Sequence, residues 1–265
     1  MDKISILGVE IDNLSLEEVL GAVDRYLKKG DPSLIVTANP EIIMLAREDA
    51  SFRACLDEAR AVVADGIGII IASRLLGTPL KQRVAGIDLV TALFEVAAKK
   101  KYRFYFVGAK PGVAERAAAK IKDSYPGIEI VGIQHGYFQE DSAIIEDIAQ
   151  KKPDILLVAL GMGKQEKWIK ERIQKIGVPV SIGVGGSFDV FAGEARRAPV
   201  WMQKAGLEWL YRLLKQPSRI GRMMKLPVFL LAVLFSKVAS APSNNENKRK
   251  RGGRGEKTED TERNQ

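Results

Sequence analysis

The chain has 265 residues, of which 46% are hydrophobic, and this is enough apolar material for one sizeable core. The single cysteine, Cys55, excludes an intramolecular disulfide. Residues 1–12 lack the basic and apolar regions of a secretory signal peptide. We therefore expect a cytoplasmic protein.

The positive charge of the chain is concentrated near its C-terminus. Residues 1–195 hold 25 Lys and Arg against 27 Asp and Glu, whereas residues 196–239 hold 9 against 1 and residues 240–265 hold 7 against 5. A basic block of this kind favours an anionic partner, which leaves a membrane surface, a diphosphate group or a nucleic acid open. A solvated basic helix is the alternative without a binding role.

Short apolar, β-branched runs alternate with helical segments along residues 1–195. Ser15 and Glu18 have the spacing of a capping box, and Pro111 and Gly112 precede a further helix. The predicted strands are residues 4–7, 34–37, 61–64, 103–107, 128–133, 155–160 and 180–184. This alternation predicts an α/β core with a Rossmann-like, mostly parallel sheet and helices on both faces.

Residues 196–239 predict a separate, basic amphipathic helical appendage, because aromatic and apolar residues are interleaved with arginine and lysine. Residues 226–235 are strongly apolar but shorter than the roughly 20 residues that span a bilayer. They are expected to lie on a membrane or to pack on the sheet, and positive charge at both ends favours the membrane. Residues 240–265 predict a disordered, charged tail.

Polar side chains follow two of the predicted strands. Thr37 and Asn39 come after one strand and Asp65 after the next, where parallel sheets place their ligands. A carboxylate can take the proton from a sugar hydroxyl, so Asp65 is a candidate general base. The simpler alternative for Asn39 and Asp65 is that each caps a helix.

Two glycine-rich turns follow later strands, and their backbone suits a diphosphate. Gly161 and Gly163 lie in the first turn, and Gly183, Gly185 and Gly186 lie in the second. Neither turn has the spacing of a dinucleotide fingerprint, so a hydride-transfer enzyme is disfavoured.

No metal-binding pattern is evident, because the chain has one histidine, one cysteine and no Asp-x-Asp pair. Arginine side chains are therefore the candidates for holding a leaving diphosphate. They are Arg83, Arg212, Arg219 and Arg222. Tyr137 could stack on a base, although a tyrosine in this place is more often packing.

The motifs together resemble the WecG/TagA/CpsF glycosyltransferase family over roughly residues 4–225. They are TANPE at 37–41, ADGIG at 64–68, RVAGIDL at 83–89, GYF at 136–138, LGMGKQE at 160–166, GVGGSFDVFAG at 183–193 and RAPVWMQKAGLEWLYRLLKQPSRIGR at 197–222. One departure is Gly163, where we expect a proline in many members of the family.

The resemblance implies an inverting hexosyltransferase without a metal or other cofactor. It would move N-acetylmannosamine from UDP onto polyprenyl-diphosphate-linked N-acetylglucosamine, through a β-1,4 bond, in wall teichoic acid linkage-unit synthesis. The enzyme would be peripheral on the inner face of the cell membrane, with no nucleic acid as a partner. Transfer of N-acetylmannosaminuronic acid or another hexose is the first alternative, and a non-catalytic module that binds membranes or nucleic acid is the second.

The resemblance also implies roles for individual residues. Asp65 would be the base, while Thr37 and Asn39 would place the acceptor or the transferred sugar. Arg83 and Gln165 would line the same pocket. The uridine would be held by Tyr137 and Asp189, and the diphosphate by Arg212, Arg219 and Arg222. The second glycine-rich turn adds Gly185 and Gly186 as candidates for binding the diphosphate.

The appendage that carries the last three arginines would, by the same resemblance, close over the active site when the protein meets the membrane. Away from a membrane its apolar surface would be exposed, and we expect homo-oligomers in solution. On the bilayer we expect an active monomer.

Overall fold

A computed structural model describes residues 2–217 and 220–240, without the side chains of Arg222, Met223 and Ser240. Within these ranges the strands form one eight-stranded sheet with the order β1-β2-β4-β3-β8-β7-β5-β6. The strands are β1 (Lys3–Ile6), β2 (Val9–Asp12), β3 (Leu34–Ala38), β4 (Ala61–Ala64), β5 (Arg103–Gly108), β6 (Glu129–Gln134), β7 (Ile155–Ala159) and β8 (Val180–Gly183). The β1–β2 pair is antiparallel and the other neighbours pair in parallel, as the α/β prediction requires.

Helices cover both faces of this sheet. They are α1 (Leu16–Lys29), α2 (Pro40–Glu48), α3 (Ala50–Asp57), α4 (Ile67–Leu76), α5 (Gly86–Lys100), α6 (Val113–Ser124), α7 (Ser142–Lys151), α8 (Lys164–Ile176), α9 (Ser187–Phe191), α10 (Val200–Lys204), α11 (Glu208–Lys215), α12 (Ile220–Met223) and α13 (Lys225–Ser240). The core on one face includes residues of α2, α3, α4, α7, α8 and α13. The core on the other face includes residues of α1, α5, α6 and α9.

The seven predicted strands and the capping box are confirmed. The Ser15 side chain accepts from the backbone N–H of Glu18 at 3.2 Å, and the Glu18 carboxylate accepts from the backbone N–H of Ser15 at 2.7 Å. Both hydrogen bonds lie at the start of α1, where backbone N–H groups have no partner within the helix.

Strand β2 was not predicted, and its turn explains why. Ile6 pairs with Val9, so Leu7 and Gly8 form a two-residue hairpin loop in which both residues have positive φ, 51° and 85°. Asn-Gly or Asp-Gly is the usual signal for such a turn, and leucine rarely adopts this conformation. The side chain of Leu7 packs against the core, which offsets the backbone strain.

Helix α13 packs on the α/β core through one face and leaves the other exposed. Phe229 and Val233 are fully buried among residues of α2 and α4. A side chain at Gly68 would lie 2.6 Å from both Leu226 and Pro40, so glycine is needed where α13 crosses α4 and α2. The prediction that residues 226–235 pack on the core is therefore confirmed for one face of this helix.

The opposite face of α13 carries Val228, Leu231, Leu234, Phe235 and Val238, all of which are exposed. No helix within residues 2–217 and 220–240 combines the length and apolar character needed to cross a bilayer. The predicted disordered tail lies outside the described residues, apart from Ser240 at the end of α13.

Phe229 and Phe235 give a matched test of this packing. We expect Phe229→Ala to lower the free energy of unfolding by about 3–5 kcal/mol, because it leaves a cavity in the core. Phe235→Ala should change it by less than about 0.5 kcal/mol, because that side chain is 72% exposed. Urea unfolding followed by circular dichroism would measure both, and equal losses would contradict the orientation of α13.

Candidate active site

One cavity of about 1120 Å³ lies at the carboxyl ends of the parallel strands. The loops that follow β3, β4, β7 and β8 form its floor and sides. Residues between 193 and 226 close the remaining side, including Trp209 and Tyr211 from α11 and Leu226 from α13. The C-terminal segment therefore covers the part of the sheet where α/β proteins bind their ligands.

Asp65 lies in the wall of this cavity, directly after β4. The N-cap of α4 is Gly66, so the alternative that Asp65 caps this helix is wrong. Its Oδ2 accepts a long hydrogen bond of 3.4 Å from the backbone N–H of Gly86, the first residue of α5.

The surroundings of Asp65 raise the pKa of its carboxyl to about 6. Burial is the main cause, because the charged form loses contact with water, and the negative charge of Glu208 acts in the same direction. The Gly86 hydrogen bond and the positive charges of Arg212 and Arg83 oppose this rise. A carboxylate with a pKa just below neutrality is ionised at neutral pH and is still a useful proton acceptor.

Thr37 and Asn39 flank Asp65 because β3 pairs with β4. Ala38 lies opposite Ala64, and the backbone N–H of Asp65 donates to the Ala38 carbonyl at 2.7 Å. A side chain at Gly86 would lie 2.9 Å from Thr37 Oγ1, so this glycine lets the start of α5 approach the hydroxyl.

Asn39 also caps α2, as the alternative from sequence proposed. Its Oδ1 accepts from the backbone N–H of Ile42 at 2.9 Å, and Pro40 is the first residue of the helix. The residue lines the cavity as well, so capping fixes its position beside Asp65 without removing it from the site.

Gln165 and Glu166 connect the two glycine-rich turns. Both side chains are buried, with exposed fractions of 5% and 2%. Gln165 Nε2 donates to Glu166 Oε1 at 2.8 Å, and Gln165 Oε1 accepts from the backbone N–H of Gly185 at 3.1 Å. Glu166 Oε2 accepts from the backbone N–H of Gly163 at 2.7 Å, so the side-chain pair fixes the relative position of the turns.

Burial raises the pKa of the Glu166 carboxyl, while the hydrogen bonds from Gln165 and Gly163 lower it in part. There is no room for a side chain at Gly183, because the Gln165 amide and the Glu166 carboxylate occupy that space. This glycine is therefore required by packing at the end of β8.

Arginine side chains from the core and from the C-terminal segment meet at Glu208 on α11. Its carboxylate lies 3.8 Å from Arg83, 3.5 Å from Arg197 and 3.0 Å from Arg212. Arg197 also donates to Asp88 on α5 at 2.5 Å. We call Arg83, Arg197, Arg212 and Glu208 the arginine cluster.

The structure brings most of the predicted site residues to this one cavity. The residues that line it are Thr37, Asn39, Asp65, Arg83, Gln165, Gly185, Gly186, Asp189 and Arg212. Tyr137 does not line it and is 67% exposed, so its contact with uridine stays a prediction. Arg219 lies outside the described residues, as does the side chain of Arg222.

Sequence reasoning did not assign a role to Arg197 or Glu208. A signal for Glu208 was present, because it is the one acidic residue counted among residues 196–239. In the part of the chain that the structure describes, no group of three or more His, Cys, Asp or Glu residues could hold a metal ion.

Similarity to known proteins covers the core and the C-terminal segment together. The profile of the glycosyl transferase WecG/TagA/CpsF family matches residues 4–242. Proteins named N-acetylglucosaminyldiphosphoundecaprenol N-acetyl-beta-D-mannosaminyltransferase are similar to this chain. The one from Bacillus spizizenii is 41% identical over 216 residues, 82% of this chain and 84% of the relative. The one from Staphylococcus aureus strain MW2 is 34% identical over 238 residues, 89% of this chain and 93% of the relative. The chain thus belongs to the WecG/TagA/CpsF family of glycosyltransferases.

Proposed function

We propose that this chain transfers N-acetylmannosamine from UDP to N-acetylglucosamine carried on undecaprenyl diphosphate, forming the wall teichoic acid linkage unit. The name shared by relatives that are 34–41% identical over most of the chain supports this reaction. The central structural observation is that one cavity holds both a carboxylate of raised pKa, Asp65, and the guanidiniums of Arg83 and Arg212.

In the proposed reaction, Asp65 takes the proton from the acceptor hydroxyl as that oxygen attacks C1 of the donor sugar. Attack comes from the face opposite the diphosphate, which inverts the configuration at C1 and gives a β-linkage. The bond between C1 and the diphosphate oxygen breaks, and UDP leaves with the electron pair. Asp65 then holds the proton and releases it to solvent.

Negative charge develops on the diphosphate as the bond breaks, and Arg83 and Arg212, which line the cavity, would stabilise it. Arg219 and Arg222 follow on the same segment and are proposed to assist. The turn with Gly185 and Gly186 lines the cavity and would present the backbone N–H of Gly186 to the same diphosphate. Gln165 would keep this turn in position through its hydrogen bond to Gly185.

The remaining assignments concern the sugars and the base. Thr37 and Asn39 lie beside Asp65 and are proposed to orient the acceptor or the transferred sugar. Asp189 lines the cavity near the second glycine-rich turn and is proposed to bind the uridine. Tyr137 would have to move toward the cavity to share this role, because it does not line the cavity in the structure.

We also propose that the C-terminal segment docks on the inner face of the cell membrane. It exposes a set of large apolar side chains, Val200, Trp201, Leu214, Ile220, Met224, Val228, Leu231, Leu234, Phe235 and Val238. Exposed lysines such as Lys215 and Lys237 accompany them and would attract anionic lipid. Off the membrane the same apolar surface would favour homo-oligomers, and on it the protein would act as a monomer.

The role of Asp65 is tested by Asp65→Asn. UDP release from UDP-N-acetylmannosamine and a prenyl-diphosphate N-acetylglucosamine analogue, measured in EDTA, should fall about 10²–10⁴-fold. Asp31→Asn, at a position outside the cavity, should retain full activity. Asp65→Asn should not lower the free energy of unfolding. Folding raises the pKa of Asp65 from the ordinary value of 3.8 to about 6, so ionisation of this carboxyl destabilises the folded protein. The destabilisation grows as the pH rises between these two values and is complete above about pH 6. Undiminished release by Asp65→Asn would contradict a catalytic role for this carboxylate, whereas no release by the wild type would favour a non-catalytic binding module.

The pH dependence of kcat/KM gives a second test. Only ionised Asp65 can accept a proton, so activity should rise with pH through an acidic limb with its midpoint at about 6. A pH titration of UDP release between pH 4 and 8 would measure this limb. A midpoint near 4, or the same limb in Asp65→Asn, would assign the titration to another group.

Membrane docking is tested by replacing two exposed residues of α13 in Leu231→Ser/Phe235→Ser. We expect at least about tenfold weaker binding to vesicles that contain anionic lipid, because each side chain loses contact with the apolar layer. Activity on a short, water-soluble acceptor analogue should be kept. Co-sedimentation with vesicles measures the first quantity, and unchanged binding would show that another surface meets the bilayer.

A further inference from the structure

Glu208 is exceptional in both sequence and position. It is the single acidic residue against nine basic ones in residues 196–239, and it is 7% exposed. A carboxylate is seldom buried unless it is paired, since burial removes its hydration. Its presence inside a basic segment therefore calls for a specific physical reason.

The partners of Glu208 come from three separate parts of the chain. Arg83 lies in the loop before α5, Arg197 in the segment before α10, and Arg212 one helical turn along α11. Burial by itself would raise the pKa of Glu208, but the charges of Arg212 and Arg197 overcome this and lower it. The residue is therefore ionised and paired on several sides.

Three guanidiniums this close to one point would repel one another without a carboxylate between them. Repulsion would act along the contact between α11 and the core, because Arg83 belongs to the core and Arg212 to α11. Arg197 reinforces this contact, since it is tied to Asp88 on α5 as well as to Glu208.

We propose that Glu208 is a positioning residue whose carboxylate gathers Arg83 and Arg212 at one wall of the cavity and so assembles the diphosphate site before substrate arrives. This rests on the proposed function for the identity of the ligand. Glu208 and Asp88 together carry two negative charges against the three guanidiniums, which leaves one positive charge in excess, so the assembled site still attracts an anion. The arginines need no rearrangement when the diphosphate enters, and preorganisation of this kind favours binding and catalysis.

The opposing possibility is that Glu208 only reduces the positive charge of the cavity. Removal of a negative charge would then strengthen the binding of UDP. Positioning predicts the reverse, because scattered arginines bind a diphosphate less well than gathered ones. The sign of the change in UDP affinity therefore separates the two roles.

The test compares Glu208→Gln with Glu171→Gln, which removes an exposed carboxylate beside Arg172 on α8, outside the cavity. We expect Glu208→Gln to weaken UDP binding at least tenfold by calorimetry and to lower kcat/KM at least tenfold. Glu171→Gln should match the wild type in both. UDP affinity that is unchanged or increased in Glu208→Gln would overturn the proposal.

A second readout distinguishes positioning from a structural role. Arg212 and Arg83 lower the pKa of Asp65 more strongly than Glu208 raises it, so arginines that leave the cavity in folded Glu208→Gln should move the acidic limb of kcat/KM to higher pH. Removal of the negative charge with the arginines still in place would move the limb to lower pH, and this result would also overturn the proposal. If activity falls only in proportion to the unfolded fraction, and the midpoint of the acidic limb does not change, Glu208 has a structural role and the proposal is overturned. If Glu208→Gln does not fold, Glu208→Asp replaces it in the test, because aspartate keeps the negative charge on a shorter side chain. Glu208→Asp should still weaken UDP binding severalfold. Wild-type UDP affinity in this variant would overturn the proposal.

UDP binding does not require turnover, so the two proposals fail separately. A wild type that binds UDP but releases none from UDP-N-acetylmannosamine would reject the proposed reaction. Weaker UDP binding by Glu208→Gln in the same preparation would still support the positioning role.

Discussion

Parallel pairing of the central strands is the constraint on which the site depends. It brings the ends of β3, β4, β7 and β8 to one edge of the sheet, so residues as far apart in sequence as Thr37 and Gly185 line one cavity. The hydrogen bond from the Asp65 backbone to Ala38 makes the β3 and β4 loops one unit. On the other side, Gln165 and Glu166 tie the loops after β7 and β8 together. The cavity is thus a product of strand register and of a few buried polar bonds.

Burial and neighbouring charges have opposing effects on the ionisation of the carboxyl groups in this cavity. Asp65 is desolvated, which favours its neutral form, while Arg83 and Arg212 favour its ionised form. Arg212 and Arg197 hold Glu208 ionised, and the charge of Glu208 in turn raises the pKa of Asp65. In the proposed mechanism, acceptor activation and diphosphate binding are therefore electrostatically coupled, since a change in either carboxylate alters the potential at the other.

Sequence patterns predicted the parts of this molecule that follow local rules. Alternating apolar runs located seven strands, and the Ser15 capping box located the start of α1. The hairpin at Leu7 was missed because its turn is stabilised by tertiary packing of a leucine in place of a favourable turn residue. The family motifs named most of the residues that line the cavity. They did not assign a role to Glu208, because its partners are set by the folded contact between α11 and the core.

Helix α13 has apolar residues on two faces, and one of them is fixed in the core by Phe229 and Val233. A helix held in this way cannot roll about its own axis. Any flat surface that meets its exposed face must therefore approach the protein in one orientation. Since Leu226 at the start of α13 also lines the cavity, the height of the cavity above that surface is set by the fold. If that surface is a membrane, as proposed, the protein would act as a fixed spacer, and the headgroup of a lipid-borne acceptor would have to extend by a defined length to reach Asp65.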